Sequence, residues 1–555
     1  MKLTGAQILI KELMACGVNE IFGYPGGSVL DIYDELYLNR DVIKHYTTAH
    51  EQGATHAADA YARVLSKTGV VIATSGPGAT NLVTGIATAY LDSVPLLAIT
   101  GNVSTKLIGR DSFQEVNIVG ITMPITKHNY IVRDVGELQK TIREAFFVAN
   151  EGRPGPVLID IPKDIQRASV EYDPKKEFIF TKKNTAITKA EIENIVQLLV
   201  KAKRPYIYVG GGVVISDATD LLIEFAKRLE APIATSLMGL TAVPAQHKLA
   251  LGMAGMHGRY AASKALAECD LLIAVGVRFS DRATGNKEMF IKNCKVIQFD
   301  IDRAEINKNI KPDGFLIGDI KEILKKLLDV MPSQDNSQWI NRVYKLKESH
   351  ENELKSPNDG SLTPKYIIET VQSILGDTLV STDVGQHQMW TAQYYRFSKP
   401  RTFVTSGGLG TMGYGMGAAI GASIGKKKQK TVLFTSDGSF HMNLNELVTM
   451  VSNDLPIVIV LFDNNALGMV RQWQTMFYNK HYSETTLNRK TDYASLAVAF
   501  GAKGYRVKTT DELISVLNEV KSIDTPCLIH CVIDSDENVF PMIPPNGTIN
   551  DIIIK

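Results

Sequence analysis

The sequence predicts an α/β protein built from three doubly wound parallel-sheet domains. Short runs rich in β-branched residues alternate with helical patterns along most of the 555 residues, which is typical of parallel α/β layers. Two charged, irregular stretches, Glu171 to Lys189 and Gln334 to Pro364, interrupt this alternation and are interpreted as surface linkers. Since domains usually have roughly 100–200 residues, we expect domains over residues 1–175, 185–335 and 360–555.

Each predicted domain contains its own series of strand-length apolar runs. In the first domain they are Ile43–Thr48, Val70–Thr74, Leu96–Thr100 and Pro156–Ile161. In the second domain they are Tyr206–Val209, Pro232–Ser236, Leu271–Val275 and Val296–Asp300. In the third domain they are Thr378–Thr382, Thr402–Thr405, Thr431–Thr435, Ile457–Phe462 and Leu528–Ile533. The short period of a solenoid repeat is absent.

The composition is that of an ordinary soluble globular protein, with 45% apolar and 21% charged residues. A net charge of +1 offers no broad basic field, so we expect neither nucleic acid nor a membrane as a partner. No apolar run approaches the roughly 18 residues of a spanning helix, and Lys11 and Glu12 interrupt any signal-peptide core. Five scattered cysteines indicate thiols in a reducing compartment, so we expect a cytoplasmic location.

The most informative segment places polar residues at the ends of two predicted strands. One strand is predicted to end at Asp437, before Gly438 and Ser439; a helix from about Met442 to Asn453 follows, and a second strand ends at Asn464. This interval suits one right-handed crossover, so both side chains would project from the carboxyl edge where open α/β sheets bind ligands. Carboxylate and amide oxygens suit Mg²⁺, and Gly438 would let backbone amides approach phosphate. The alternative is a helix cap followed by an unrelated turn.

This pattern resembles that of the thiamine diphosphate enzymes, in which Gly-Asp-Gly is followed one crossover later by Asn-Asn. Ser436 stands where the family has its first glycine, which leaves backbone strain and metal affinity at this position as open questions. The resemblance implies thiamine diphosphate as cofactor. It also implies that Mg²⁺ is bound by Asp437, Asn464 and the backbone carbonyl of Ala466.

A second constellation, His50-Glu51-Gln52, follows the first predicted strand and opens a predicted helix. Taken alone, Glu51 would be read as a helix-dipole or capping glutamate. Beside the diphosphate motif, the resemblance implies that Glu51 hydrogen-bonds to N1′ of the cofactor's pyrimidine and relays a proton. In the family this domain faces the diphosphate domain of another subunit. The resemblance therefore implies at least a homodimer, with each active site built from two chains.

Further stretches along the whole chain resemble the biosynthetic acetohydroxyacid (acetolactate) synthase family, large catalytic subunit. They are Phe22–Gly27, Ser75–Asn81, Gly109–Glu115, Gly152–Val157, Asp160–Asp164, Thr382–Trp390, Gly408–Tyr414, Gly468–Trp473 and Val539–Pro545. The resemblance implies decarboxylation of pyruvate and transfer of its hydroxyethyl group to a second pyruvate or to 2-ketobutyrate, the first common step of branched-chain amino acid synthesis. Pyruvate oxidases and decarboxylases of the same fold are the close alternatives, and a catalytically silent nucleotide-binding or regulatory subunit is a third.

The resemblance also assigns roles to single residues. The amide of Gly27 can reach a reacting oxyanion, Gln114 is a neutral donor, Lys163 steers the substrate carboxylate, and Met412 supports the bent cofactor. The implied thiamine diphosphate contacts are Pro25, Gly26, Glu51, Thr74, Gly76, Asn81, Gly385, Gln386, His387, Gly410, Met412, Gly438, Ser439, Gly468 and Met469. The implied substrate contacts are Phe113, Arg278 and Trp473. As alternatives, Met412 and Trp473 would be core residues, and Lys163 and Arg278 solvated charges.

Glycine-rich turns in the second domain resemble the FAD-binding loops of the biosynthetic synthases, although such turns alone are weak signals. The implied FAD contacts are Arg153, Gly210, Gly211, Gly212, Met253, His257, Gly276, Arg278, Asp300, Ile301 and Asp319. Because the reaction has no net redox change, FAD would be structural. The resemblance also makes a separate small regulatory subunit plausible. The sequence leaves open the preferred acceptor, feedback regulation, and whether the assembly is a dimer or a tetramer.

Overall fold

This computed structural model describes residues 1–182, 186–286, 290, 294–351 and 360–554. Within these ranges the chain forms three six-stranded parallel sheets whose strands alternate with helices, which confirms the predicted α/β class with three parallel-sheet domains. The predicted domain bounds remain a prediction, and residue 185 lies outside the described residues. None of the helices in the described ranges is both long enough and apolar enough to cross a bilayer.

The first sheet has the order β3-β2-β4-β5-β7-β6, and a separate antiparallel pair joins β1 to β8. The strands are β1 (Lys2–Thr4), β2 (Glu20–Tyr24), β3 (Lys44–Thr47), β4 (Gly69–Ala73), β5 (Leu96–Asn102), β6 (His128–Ile131), β7 (Pro156–Pro162) and β8 (Ser169–Glu171). The helices are α1 (Gly5–Ala15), α2 (Leu30–Leu38), α3 (Glu51–Leu65), α4 (Pro77–Asn81), α5 (Val83–Asp92), α6 (Ile118–Thr122), α7 (Leu138–Asn150) and α8 (Lys163–Arg167).

The second sheet has the order β11-β10-β9-β12-β13-β14. Its strands are β9 (Pro205–Val209), β10 (Ile233–Thr235), β11 (Ala250–Met253), β12 (Leu271–Val275), β13 (Lys295–Asp300) and β14 (Gly314–Ile317). The helices of this region are α9 (Lys189–Lys201), α10 (Gly211–Ile215), α11 (Thr219–Leu229), α12 (Tyr260–Glu268), α13 (Asp281–Thr284), α14 (Ile320–Val330) and α15 (Ser337–Glu351).

The third sheet has the order β16-β15-β17-β18-β20-β19. Its strands are β15 (Leu379–Thr382), β16 (Phe403–Val404), β17 (Thr431–Ser436), β18 (Ile457–Asp463), β19 (Lys503–Val507) and β20 (Cys527–Val532). The helices are α16 (Pro364–Leu375), α17 (Gln386–Tyr394), α18 (Tyr414–Gly425), α19 (Asp437–Asn443), α20 (Leu447–Ser452), α21 (Gly468–Phe477), α22 (Tyr493–Ala499) and α23 (Thr510–Val520). Short 3₁₀ helices lie at Thr105–Leu107, Met123–Ile125, Val135–Glu137, Leu237–Gly239, Arg303–Glu305, Leu444–Glu446 and Ile549–Asp551.

Every predicted strand is present; most are buried central strands with a continuous apolar run, whereas β3 and β16 lie at the edges of their sheets. The sequence analysis missed mainly edge or short strands, such as β6 and β19, whose residues are half exposed and carry no continuous apolar run. The stretch Gln334 to Pro364 is also more than a surface linker. Trp339 of α15 is buried, and its indole Nε1 donates to the Pro205 carbonyl at 2.9 Å, so this helix packs on the second sheet.

Helices α3 and α18 join the first and third sheets into one core. Backbone contacts this close require glycine on α18. A Cβ on Gly421 would lie 1.9 Å from the Ala57 carbonyl oxygen, and one on Gly417 would lie 2.5 Å from the Gly53 carbonyl oxygen. A single apolar cluster therefore runs from the first sheet through both helices to the third.

We expect Gly421→Ala to lower the thermal unfolding midpoint. Alanine improves helix propensity by about 1 kcal/mol, but the added methyl group collides with backbone that cannot rotate away, and overpacking typically costs about 1–3 kcal/mol. Gly27→Ala is the control, because its Cβ would meet no atom within 4 Å. Circular dichroism melting measures both variants. A midpoint for Gly421→Ala at or above that of the unmodified protein would contradict the proposed close approach.

Candidate active site

The order of the strands decides where each sheet offers a crevice for a ligand. The chain changes direction across the sheet between β2 and β4, between β9 and β12, and between β15 and β17. In open α/β sheets, ligands bind beyond the carboxyl ends of the strands at such reversals. The predicted residues that follow these strands are Pro25, Gly26, Gly27, Thr74, Gly76, Gly210, Gly211, Gly212, Gly276, Arg278, Gly385, Gln386, His387, Asp437, Gly438 and Ser439.

Glu51 occupies the position predicted for it, at the start of α3 and just beyond β3. The ring Nδ1 of His50 accepts a hydrogen bond from the Gln52 amide at 3.1 Å and so caps the helix. The Glu51 side chain is largely buried, and its Oε2 accepts a hydrogen bond from Asn81 Nδ2 at 2.9 Å. A Cβ on Gly78 would come within 3.2 Å of Oε1, so the glycine leaves room for the carboxylate.

Glu446, from the third domain, supports the turn before Glu51 and was missed by the sequence analysis. Its carboxylate accepts hydrogen bonds from the amides of Ala49 and His50, at 3.2 and 3.0 Å, and from the Thr449 hydroxyl at 2.6 Å. Burial raises the pKa of Glu446, and the negative charge of Glu51 raises it further. Only long-range packing brings this side chain to residue 50, so no local sequence pattern indicates it.

The turn after β2 is closed on one side and open on the other. A Cβ on Gly26 would lie 2.4 Å from the Thr74 Cβ, and the Thr74 hydroxyl contacts the Ser28 hydroxyl at 2.9 Å. Gly27 faces open space, and its carbonyl accepts a hydrogen bond from Lys163 Nζ at 2.9 Å. The predicted role of the Gly27 amide at a reacting oxyanion stays a prediction.

The loop Gly109–Glu115 packs against the turn after β4. Gln114 has a left-handed backbone (φ 58°), and a Cβ on Gly76 would lie 2.9 Å from its Cα. Glu115 accepts hydrogen bonds from the amides of Gly109 and Ser112, which fixes the loop. Phe113, a predicted substrate residue, is 88% exposed within the chain.

Asp437 lies on the carboxyl edge of the third sheet, although the element boundaries differ from those predicted. β17 ends one residue earlier, at Ser436, and helix α19 begins at Asp437 instead of near Met442. β17 and β18 are adjacent and parallel, as the predicted crossover requires. Asp437 Oδ1 accepts the Gly438 amide at 2.9 Å, whereas Oδ2 is buried without a hydrogen-bond partner. That orphaned oxygen is a position for a ligand.

Asn464 and Ala466 follow β18, next to Asp437. Asn464 Oδ1 accepts the amide of Ala466 at 3.3 Å, and its Nδ2 donates to Gln386 Oε1 at 3.3 Å. A Cβ on Gly468 would lie 1.9 Å from the same Gln386 oxygen. One carboxylate, one amide oxygen and one backbone carbonyl form a donor set that fits Mg²⁺. The described part of the chain has no group of three His, Cys, Asp or Glu side chains that could hold a metal ion. The donor set proposed for Mg²⁺ includes only one such side chain, Asp437.

Asp437 and Asp463 form an acidic pair at this edge. Burial, and then the charge of Asp463, raise the pKa of Asp437 to about 8. The pKa of Asp463 is lowered despite burial, because His530 Nε2 contacts its Oδ2 at 2.6 Å and contributes hydrogen bonding and positive charge. The edge therefore favours a cation or a proton at Asp437.

Ser436 fits its position without strain. Its backbone is extended (φ −128°, ψ 166°), a conformation open to any L residue, so glycine is not required there. Its hydroxyl lies 3.5 Å from the Ser439 amide and caps α19. The Ser439 hydroxyl in turn donates to the Val384 carbonyl at 2.9 Å.

The turn after β15 contributes Gly385, Gln386 and His387. Gly385 (φ 152°) precedes α17, and Gln386 Nε2 donates to Gln472 Oε1 at 3.0 Å. Burial lowers the pKa of His387 to about 3, so its imidazole is neutral, and its Nε2 has no hydrogen-bond partner. Met469 packs at the edge of the apolar cluster of the third domain.

Met412 lies between backbone anchors beside the diphosphate edge. Asp383 Oδ1 accepts the amides of Gly413 and Gly415 at 2.6 and 3.2 Å, and burial raises the pKa of Asp383 to about 6. A Cβ on Gly438 would lie 3.8 Å from the Met412 Cε, so the methionine reaches this edge. Gly410 has φ 72°, which favours glycine. Asp383 is a support that the sequence analysis did not select.

The structure pairs Trp473 with Arg282, a residue that was not among the predicted substrate contacts. The Arg282 guanidinium lies 5.4 Å from the centroid of the Trp473 ring, a cation–π contact between domains. Arg278 is largely buried, and burial followed by the charge of Arg153 lowers its pKa. Arg282 lies four residues after Arg278 in the stretch from Gly276 to Gly285, and sequence spacing alone does not indicate which of the two arginines contacts Trp473.

Glycines of the second sheet pack against one another at its central reversal. A Cβ on Gly210 would lie 2.0 Å from the Gly276 carbonyl oxygen, and one on Gly212 would lie 2.8 Å from the Gly276 Cα. These glycines are therefore required by chain packing itself. A Cβ on Gly211 would instead lie 3.3 Å from the Cβ of Met238.

The other predicted FAD residues lie around this sheet edge in different environments. Burial raises the pKa of Asp300, at the end of β13, to about 6, and the next residue, Ile301, is 38% exposed. Arg153 Nη1 contacts Glu305 Oε1 at 3.1 Å, and Asp319 caps α14. Met253 and His257 are buried. The ring Nδ1 of His257 has no hydrogen-bond partner.

Three regions of the chain match descriptions of thiamine pyrophosphate enzyme domains. Residues 3–121 match the N-terminal TPP binding domain, residues 192–327 the central domain, and residues 383–531 the C-terminal TPP binding domain. The acetolactate synthase isozyme 2 large subunit of Escherichia coli is 45% identical over 553 residues, covering 100% of both chains. A probable acetolactate synthase large subunit of Methanocaldococcus jannaschii is 44% identical, covering 99% of this chain and 95% of that protein. The acetolactate synthase large subunit of Cyanidium caldarium is 45% identical, covering 98% and 95%.

Without added metal, we expect stability to fall as the pH rises toward 8, partly because of Asp437. Its pKa is about 8 in the folded chain against 3.8 ordinarily, so the folded state binds the extra proton between these values and loses that advantage as the pH rises. Asp437→Asn should flatten the dependence of the melting midpoint on pH, and the exposed Asp329→Asn should not. An unchanged slope in Asp437→Asn would contradict the assignment.

Proposed function

The chain belongs to the thiamine pyrophosphate enzymes, and on that premise we propose that it synthesises acetolactate. It decarboxylates pyruvate and ligates the hydroxyethyl group to a second pyruvate, or to 2-ketobutyrate to give 2-aceto-2-hydroxybutyrate. Thiamine diphosphate, when bound, supplies the electron sink for the pair left by loss of CO₂. The products feed branched-chain amino acid synthesis.

The placement of Glu51 is the observation that carries this proposal. A buried carboxylate at the end of β3, oriented by Asn81, can hold a proton at the pyrimidine N1′ without exchanging it with bulk water. Glu446 fixes the backbone before it, so the carboxylate has one orientation. Orientation of this kind is worth several orders of magnitude in rate.

The edge formed by Asp437, Asn464 and Ala466 would bind Mg²⁺ and, through it, the diphosphate. The unpaired buried oxygen of Asp437 supports this assignment, since a carboxylate without a counter-ion is unfavourable inside a protein. Gln386 orients Asn464 through a hydrogen bond at 3.3 Å. Residues that orient metal ligands commonly affect metal affinity by about 10–100-fold.

The second keto acid would be admitted beside Trp473. The positive charge of Arg282 on that ring can attract the acceptor carboxylate, and Arg278 can contribute from the neighbouring strand end. Lys163, at the start of α8, contacts the Gly27 carbonyl, and Phe113 and Gln114 lie on the loop that packs against Gly76; these residues would exclude water and orient the carboxylate. Preference for a keto acid over a proton is what separates a ligase from a decarboxylase.

FAD is proposed as a structural cofactor of the second domain. The support is the reversal between β9 and β12, where Gly210 and Gly276 end adjacent strands, together with the unpaired Nδ1 of His257. Asp300, at the end of β13, would bind a ribose hydroxyl. No step of the proposed reaction uses flavin oxidation or reduction.

The active enzyme is proposed to be a cytoplasmic homodimer or tetramer with sites between chains. Apolar side chains on site elements are exposed in the single chain, among them Phe113, Leu409, Met442 and Val448, and a second copy would cover them. The relatives are named large subunits, which supports a separate small regulatory subunit as a further partner. The cysteines of the chain are unpaired, as expected in a reducing cytoplasm.

Glu51→Gln should lower kcat by about 10²–10⁴-fold, because the glutamine side chain has the same shape as glutamate but its amide group cannot relay the proton. The Kd for thiamine diphosphate, followed by tryptophan fluorescence, should change little. The control is Glu137→Gln, an exposed carboxylate in the same domain. Full turnover in Glu51→Gln would refute the proton-relay role.

Pyruvate turnover with thiamine diphosphate and Mg²⁺ should yield acetolactate as the main product, because the acceptor pocket favours a keto acid. Chromatography distinguishes it from acetate or acetyl phosphate, the products of an oxidase, and from acetaldehyde, the product of a decarboxylase. A flavin absorption spectrum of the same preparation tests the FAD assignment. Acetaldehyde or acetate as the main product would overturn the proposed function.

A further inference from the structure

We propose that Asp59, Arg63 and Asp92 form a buried clamp that positions residues 405–413, the loop carrying Gly410 and Met412. The clamp belongs to the first domain of the chain, and the loop belongs to the third. The inference rests on the proposed function in one respect: it makes these charged residues positioning residues for the cofactor loop. Its physical basis is independent of that function.

Asp92 is the direct contact to the loop. It is the last residue of α5 and is buried, and both of its carboxylate oxygens accept hydrogen bonds from loop amides. Oδ1 accepts the Gly408 amide at 2.7 Å, and Oδ2 accepts the Gly407 amide at 3.2 Å. A Cβ on Gly408 would lie 2.8 Å from Oδ1, so the loop backbone approaches the carboxylate as closely as a glycine allows. Residues 407–410 are otherwise exposed.

Arg63 holds the carboxylate of Asp92 in place. Its Nη2 lies 3.0 Å from Asp92 Oδ2, and its Nε and Nη2 donate to Asp59 at 2.7 and 3.1 Å. Its Nη1 donates to the Thr405 carbonyl at 3.0 Å, so one guanidinium contacts both the clamp and the start of the loop. Burial works to lower the pKa of Arg63, but the negative charges of Asp59 and Asp92 raise it overall, so the guanidinium stays charged.

Other hydrogen bonds leave only the centre of the loop unsupported. The hydroxyl groups of Thr88 and Thr411 lie 2.8 Å apart, and the Thr411 amide donates to Ser406 Oγ at 3.0 Å. The Gly413 amide is bound by Asp383. Met412 therefore lies between two carboxylate anchors, Asp92 of the first domain at Gly407 and Gly408 and Asp383 of the third domain at Gly413.

Stability alone does not account for such a cluster. Two carboxylates and one guanidinium are withdrawn from water, and buried ionic groups are often no more stabilising than well-packed apolar residues. Their strongly directional hydrogen bonds do fix geometry. Helix α3 begins at Glu51, and Asp59 and Arg63 follow two to three turns later. At 1.5 Å per residue, Glu51 and Arg63 are roughly 18 Å apart along the helix axis. In the proposed dimer, helix α3 would thus position Glu51 in one active site and residues 405–413 in the other active site.

The test is Asp92→Asn in the full-length protein. It keeps the shape but places an amide group opposite Arg63 and the loop amides. Hydrogen–deuterium exchange of residues 405–413, measured without cofactor, should accelerate by about 10-fold or more, while that of β17 stays unchanged. With cofactor, kcat should fall at least about 10-fold and the KM for pyruvate should change less than about 2-fold, since misplacement affects the reacting geometry.

Glu268→Gln is the matched control. Arg342 binds Glu268 through Nε and Nη2 at 2.9 and 2.7 Å, the same forked geometry on an exposed surface of the second domain, so this variant should change neither exchange nor kcat. Gly408→Ala is the second variant if Asp92→Asn does not fold. Its methyl group pushes the loop from Asp92 without altering a charge, and the same faster exchange is expected.

The outcomes separate the clamp from the function. Unchanged exchange in both variants would overturn the clamp, even in an active enzyme. Faster exchange with kcat within about 2-fold of the unmodified protein would overturn the positioning role. If the unmodified protein makes no acetolactate, the proposed function fails, whereas the exchange experiment still decides whether the clamp holds the loop.

Discussion

The rest of the structure depends on the backbone contact between α3 and α18. At Gly421 the two helices are so close that a methyl group would overlap the Ala57 carbonyl oxygen. This approach merges the apolar cores of the first and third sheets and determines where α3 points. Hydrogen bonds between the first and third domains depend on this approach. They include the one from the His50 amide to the Glu446 carboxylate and the one from Arg63 to the Thr405 carbonyl.

The same sheet architecture occurs three times in this chain, with different side chains at each carboxyl edge. Each sheet reverses its winding at one place and so creates a crevice at its carboxyl edge. The first crevice holds a buried carboxylate, Glu51, suited to proton transfer. The third holds Asp437 with an unpaired oxygen, suited to a cation. At the second, Gly210 and Gly276 bring two chain segments together backbone against backbone, because a Cβ on Gly210 would lie 2.0 Å from the Gly276 carbonyl oxygen.

The strands and the chemistry-bearing residues could be predicted because both have local signals. A strand buried on both faces has a continuous apolar sequence, as from Ile457 to Phe462, and the polar residues directly after it, such as Asn464, lie at the carboxyl edge of the sheet. Boundaries were less accurate. The helix after Asp437 was predicted to begin near Met442, whereas the Ser436 cap allows α19 to begin at Asp437. Half-exposed edge strands such as β6 have no comparable signal.

The sequence by itself determined the α/β class, the apolar strands and the candidate functional residues Glu51, Asp437 and Asn464. These depend on residue type and on spacing over short stretches of chain. Tertiary structure alone decided which distant groups support them. Glu446 reaches the turn before Glu51, Asp92 reaches Gly408, and Arg282 lies over Trp473, all across long intervals of chain. Such pairings depend on how helices and sheets pack, and packing is set by shape across the whole core, which no short segment encodes.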